Sequence, residues 1–79
     1  MQPLDGPPPQ YVTSDLNLAS FLRCQNHPIL DIRRQGAKSI FVFADSPELR
    51  RAIVSFANDG AVGVRSFCST LRDLKALTR

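Results

Sequence analysis

Cysteine, histidine, exposed aromatics and long apolar runs are all scarce in this chain, and each scarcity removes a class of protein. Cys24 and Cys68 are its two cysteines. Two are too few for a disulfide scaffold, so a reducing cytoplasm is the expected compartment. His27 is the single histidine. With it and the two thiols the chain offers three soft ligands where a structural zinc needs about four, so no metal is expected. Both thiols are expected as small core residues, and His27, before Pro28, as a surface loop residue. No apolar run approaches the roughly 18–20 residues of a membrane helix. The N-terminus has neither the basic opening nor the apolar stretch of a secretory signal. There is no tryptophan and one tyrosine, Tyr11. A base-stacking platform for single strands therefore has little to build on.

What is present is an ordinary globular composition, 43% hydrophobic and 22% charged, in 79 residues. Residues 1–10 carry Pro3, Pro7, Pro8 and Pro9 and read as an extended, disordered tail. Pro7–Pro9 could dock an aromatic groove on a partner, but a disordered leader is the expected reading. Residues 11–79 are then one domain, too short to bury more than about 60% of its unfolded surface. Ten Lys/Arg stand against seven Asp/Glu. The pI of about 9.4 is what a nucleic-acid-binding domain shows, and also what many soluble surfaces show.

The pattern predicts a helix from Thr13 or Ser14, either one its cap, burying Leu18, Ala19, Phe21 and Leu22. Asn26-His27-Pro28 ends it, since the residue before proline leaves the helical region. A hairpin follows: Ile29–Arg34, a turn at Gln35-Gly36, and Lys38–Ala44. That turn pairs Arg33 with Lys38, Asp31 with Ile40 and Ile29 with Val42 on an outer face. Leu30, Ile32, Phe41 and Phe43 fall on the core face. Ser46-Pro47-Glu48 opens a second helix with a stripe of Leu49, Ala52, Ile53, Phe56 and Ala57. Gly60 is expected in the left-handed position beyond it. Ala61–Val64 reads as a short third strand, and Ser66–Leu77 as a last helix burying Phe67, Leu71, Leu74 and Leu77. The expected fold is a small two-layer α+β domain, ordered helix, strand, strand, helix, short strand, helix, with the antiparallel hairpin packed on the helices.

Catalysis finds no support in these residues. No serine or cysteine has a base beside it, and Asp15, Asp31 and Asp45 each have a local structural explanation. Gly60-Ala61-Val62-Gly63 lacks the lysine of a phosphate loop. No enzyme activity and no cofactor are expected. The basic residues are more suggestive. Arg65, Arg72, Lys75 and Arg79 fall within an arc of roughly 80° on the last helix, opposite its apolar face. Such a row suits a phosphate backbone, although cations near a helix C-terminus also offset its dipole. Arg33, Arg34 and Lys38 form a second group at the hairpin tip, and Arg50 and Arg51 a third on the middle helix.

Three segments carry a resemblance: Tyr11-Val12-Thr13-Ser14-Asp15-Leu16, Phe41-Val42-Phe43-Ala44-Asp45-Ser46 and Leu71-Arg72-Asp73-Leu74-Lys75. Over about residues 11–77 the chain resembles a group of short bacterial and phage proteins known only as a domain of unknown function. The resemblance brings no activity and no site residues. It implies a prokaryotic or phage setting, often among mobile elements, where small accessory proteins bind DNA, RNA or other proteins.

Two functions are therefore expected in competition. One is a nucleic-acid-binding accessory protein, contacting the phosphates of DNA or RNA through Arg65, Arg72, Lys75 and Arg79, with Arg33, Arg34 and Lys38 second. The other is a protein-interaction module, an adaptor, inhibitor or subunit, using the apolar groups Ile29, Ile40, Val42 and Val54. A homodimer or obligate complex is expected in either case, with Ile40 and Val42 buried against a second copy.

Overall fold

A helix must satisfy its first N–H groups and its last carbonyls, and the three helices of this chain do so mostly with side chains close in sequence. The computed structural model describes residues 9–78. In it α1 (Leu16–Cys24) is capped by Asp15, whose carboxylate accepts from the Leu18 N–H at 3.1 Å. Thr13 serves one step earlier, its Oγ1 accepting from the Asp15 N–H at 3.0 Å. The helix ends with Asn26 at φ +69°, while the His27 and Asn26 N–H groups return to the Leu22 and Arg23 carbonyls. That left-handed residue, more than the proline after it, closes the helix. α2 (Pro47–Ala57) starts as expected: Ser46 Oγ accepts from the Leu49 N–H at 3.0 Å and Pro47 takes the first turn. Its end departs from expectation. Asp59, not Gly60, is left-handed, at φ +60°. The Gly60 N–H reaches the Ser55 carbonyl at 2.7 Å. Glycine is required there because a Cβ would overlap Ser55, its carbonyl oxygen standing 2.8 Å away.

The sheet has three antiparallel strands in the order β1-β3-β2, formed by β1 (Gln10–Thr13), β2 (Ile29–Gln35) and β3 (Lys38–Ala44). The third strand therefore comes from the N-terminal side, and the strand expected at 61–64 does not form. Tyr11 and Thr13 stand opposite Phe43 and Phe41, and the Asp45 N–H donates to the Pro9 carbonyl at 3.1 Å. An edge strand can begin directly after proline, because its outward N–H groups need no partner. Gln10 thus belongs to the domain, and residues 1–8 of the expected tail, Pro7 and Pro8 among them, lie outside the described residues. Without a strand to make, the residues from Val64 onward join α3 (Val64–Leu77), which runs 14 residues from its cap at Gly63.

The hairpin register is two residues away from the expected one. The loop is Gly36-Ala37, with Gly36 at φ +62° in the first central position, so Gln35 faces Lys38, Arg33 faces Ile40 and Asp31 faces Val42. A two-residue loop with glycine in that place matches the twist of the strands. A shift of two keeps each side chain on its face, so Phe41, Phe43 and Ile32 point at the helices as expected. A bulge between Ile29 and Asp31 then reverses the last two positions. Ile29 stands opposite Phe43 and packs against the core, whereas Leu30 is 51% exposed.

The core joins all three helices to one face of the sheet. Leu18, Ala19 and Leu22 of α1 meet Phe41 and Phe43 of β3, with Leu49 and Leu74 closing it from α2 and α3. Phe21 stacks on Phe56 with ring centroids 5.4 Å apart. Ser20 is the one buried polar residue of the described part, and its hydroxyl donates to the Leu16 carbonyl at 2.8 Å. Val42 needs no second copy to cover it. It is fully buried on the opposite sheet face, between Val12 and Asp31 at cross-strand distance. Leu77 departs the other way and is 68% exposed. It ends α3 between the azimuths of Thr70 and Asp73, about 60° round the helix from Leu74, and lines the same groove as that residue.

Candidate nucleic-acid interface

A cation is available to a phosphate only if no carboxylate or carbonyl of its own chain already holds it. Arg65, Arg72 and Lys75 of α3 pass this test. All three are exposed, Arg65 and Arg72 on the side of the helix opposite Leu74 and Lys75 on its flank, and none is in an ion pair among the described residues. Arg79 lies outside the described residues.

The hairpin cations divide. Lys38 is exposed at the start of β3, directly after the loop. Arg33 Nε sits 3.1 Å from Asp31 Oδ2, with both side chains about half exposed (55% and 54%), a loose surface pair. Arg34 is committed to the fold. Its Nη1 donates to the Thr78 carbonyl at 2.8 Å and to Ser39 Oγ at 3.5 Å. A guanidinium at that point satisfies an open carbonyl and sits at the negative end of the helix dipole. Arg34 therefore links the hairpin to the C-terminal end of α3, nearest to Lys75 among the cations of that helix. Thr78 also shares a cleft with Ala37, Lys38 and Ser39. Sequence spacing held no sign of this contact, which spans 44 residues.

On α2, Arg50 is likewise engaged. It donates to both oxygens of Asp45, at 3.0 and 2.7 Å. The hydrogen bonds from Arg50 hold the Asp45 carboxyl below its ordinary value, and the arginine is correspondingly raised. Arg51 is exposed, as is Arg23 on α1, which the sequence reading passed over.

The apolar residues expected at an interface also separate. Val54 is 60% exposed, Ile40 is half-buried on the outer sheet face, Val42 is buried, and Ile29 belongs to the core side. Beside β2 runs a groove of about 490 Å³ lined by Ile29, Leu30 and Ile32, by Leu74 and Leu77 across from them, and by Arg23, Asp31, Thr70 and Asp73. The thiols do not converge: Cys24 is half-buried with its Sγ 3.6 Å from Thr70 Oγ1, and Cys68 is exposed, against the expectation of a buried residue. No group of three or more metal-ligating side chains occurs among the described residues. Nor is any helix among them long and apolar enough to cross a membrane.

A family model described as a domain of unknown function, DUF5659, matches residues 9–79, and the chain belongs to that family. No curated protein and no solved structure matches it.

Proposed function

We propose that this DUF5659 member is a small, non-catalytic nucleic-acid-binding accessory protein of a bacterial, phage or mobile-element cytoplasm. It contacts phosphates through the outer face of α3. The observation that carries the reading is the state of the cations: Arg65, Arg72 and Lys75 are exposed and free of ion pairs among the described residues, about two turns and then about one turn apart along one helix. Lys38 extends the set at the hairpin tip. A hydrogen bond from Arg34 to the Thr78 carbonyl links that tip to the end of α3. Arginine grips phosphate through paired N–H donors, and lysine adds a point charge. Contacts of this kind position a backbone and read little sequence.

The test is fluorescence anisotropy with duplex DNA, single-stranded DNA and structured RNA at two salt concentrations. Four phosphate contacts give a log–log salt slope of about 3 to 4, hence roughly 100-fold weaker binding between about 50 and about 200 mM salt. No binding of any of the three at low salt and micromolar protein refutes the proposal. A second reading, a protein-interaction module, rests on the exposure of Val54, Leu30 and Leu77. Pull-down with nuclease treatment separates the two: a partner lost on digestion belongs to the first, one retained to the second.

A further inference from the structure

The sheet has two open edges, and they are unequal. Each begins directly after a proline, Pro9 or Pro28, but β1 offers four residues and β2 offers seven. The Gly36-Ala37 loop closes a turn between Gln35 and Lys38. Hydrogen-bonded pairs alternate along an antiparallel ladder, so Gln35, Arg33 and Asp31 turn their backbone groups to β3. Those of Ile32 and Arg34 are left on the open edge. Unpaired groups on a strand of this length are a template for another strand. Alongside them lie Leu30 and Leu77, the most exposed side chains of the groove's apolar wall.

We infer that this edge is an interface between two copies of the chain, β2 pairing antiparallel with β2 of the second copy about a two-fold axis through Ile32. The order of charges along the strand, Leu30-Asp31-Ile32-Arg33-Arg34, selects both the occupant and the register. With the axis at Ile32, Asp31 of each copy stands opposite Arg33 of the other. These are the non-hydrogen-bonded positions, where side chains come closest. Ile32 meets Ile32 through the backbone groups that β3 leaves free. Moving the axis one residue either way sets Asp31 against Asp31 or Arg33 against Arg33, which is repulsive. A two-fold contact requires only that one patch be complementary to itself, and this strand is. The product is one sheet of strand order β1-β3-β2-β2-β3-β1, with Leu30 and Leu77 of both copies along the junction. This dimer differs from one built on Val42, which the monomer already buries. It also stands independently of nucleic-acid binding.

Size-exclusion chromatography with light scattering on the full chain at micromolar concentration reads the result. The expected mass is twice the 8.8 kDa of one chain. Asp31→Arg and Arg33→Asp each turn two attractive pairs into repulsive ones and weaken the dimer about tenfold or more. Both side chains are exposed, so circular dichroism stays native. The double variant Asp31→Arg/Arg33→Asp restores the complementarity and the dimer. A wild-type monomer overturns the inference and leaves the edge to a strand of another protein. A dimer untouched by either single reversal, or a double variant that stays monomeric, overturns the register.

Discussion

Gly60→Ala is the sharpest test of how α2 hands the chain to α3. The glycine does not occupy a left-handed conformation; that duty falls to Asp59, at φ +60°. What Gly60 provides is space. An added methyl overlaps the Ser55 hydroxyl and stands 2.8 Å from the Ser55 carbonyl oxygen and 3.0 Å from its carbon. The hydroxyl can rotate away, but the carbonyl is part of α2 and accepts the Gly60 N–H at 2.7 Å. Relief therefore requires moving the backbone and lengthening that hydrogen bond. Forced crowding of this kind costs about 1–3 kcal/mol, and in a domain of this size each kcal/mol lowers Tm by roughly 4–8 °C. Differential scanning calorimetry on Gly60→Ala should show that loss, and Gly60→Ala/Ser55→Ala should recover only a minor part of it. Asp59→Gly should fall within about 0.5 kcal/mol of wild type or above it, because relief of the left-handed strain offsets the added freedom of the unfolded chain. A harmless Gly60→Ala, or full rescue by Ser55→Ala, refutes the steric argument.

Phe43→Ala removes a fully buried ring and should cost about 3–5 kcal/mol, enough to leave much of the chain unfolded in a urea titration at 37 °C. Val42→Asp should unfold the monomer itself, seen by circular dichroism, since it buries a lone carboxylate on the central strand. Arg34→Ala should cost about 0.5–1 kcal/mol and speed amide exchange in the last turn of α3, whose Thr78 carbonyl loses its donor. Asp45 has a folded pKa below its ordinary 3.8, so its pair with Arg50 stabilises the fold above that value and loses its contribution as pH falls through the folded one. Acid unfolding of Asp45→Asn should accordingly lack that part of the descent.

The elements legible in the sequence are those whose causes are local. Ser46, Pro47 and Glu48 announce α2 within three residues, and the stripes of α1 and α2 bury Leu18, Ala19, Leu22 and Leu49 at the spacing of a helix. β1 escaped because four residues after a proline run carry almost no signal of their own. Their strand exists through pairing with residues about thirty positions away. The register slipped because glycine suits either central position of a two-residue loop, and the choice is made by strand twist rather than by the Gln-Gly pair. The bulge at Leu30 is a tertiary outcome: Ile29 and Leu30 are equally apolar, and only packing against Phe43 decides between them. Among the cations, spacing identified the α3 face but had no means of subtracting Arg34, Arg33 and Arg50, whose partners are a helix-end carbonyl and two carboxylates.

That subtraction turns a salt titration into a count of copies. Under the proposed function one chain presents Arg65, Arg72, Lys75 and Lys38 to a phosphate backbone, and each contact contributes about 0.9 to the log–log slope on duplex DNA. A monomer therefore gives a slope of about 3 to 4, and a dimer that lays both α3 faces on one duplex about 7. The β2-edge reversals decide which applies, because they change charge in opposite directions. Asp31→Arg adds cations and Arg33→Asp removes them, so an effect of charge alone moves the slope oppositely in the two variants. Loss of the dimer lowers it in both, to about half. Equal halving, reversed by the double variant, means that the two chains bind as one unit. Slopes near 3 to 4 in wild type and all variants mean that each chain meets nucleic acid alone, whatever its association in free solution.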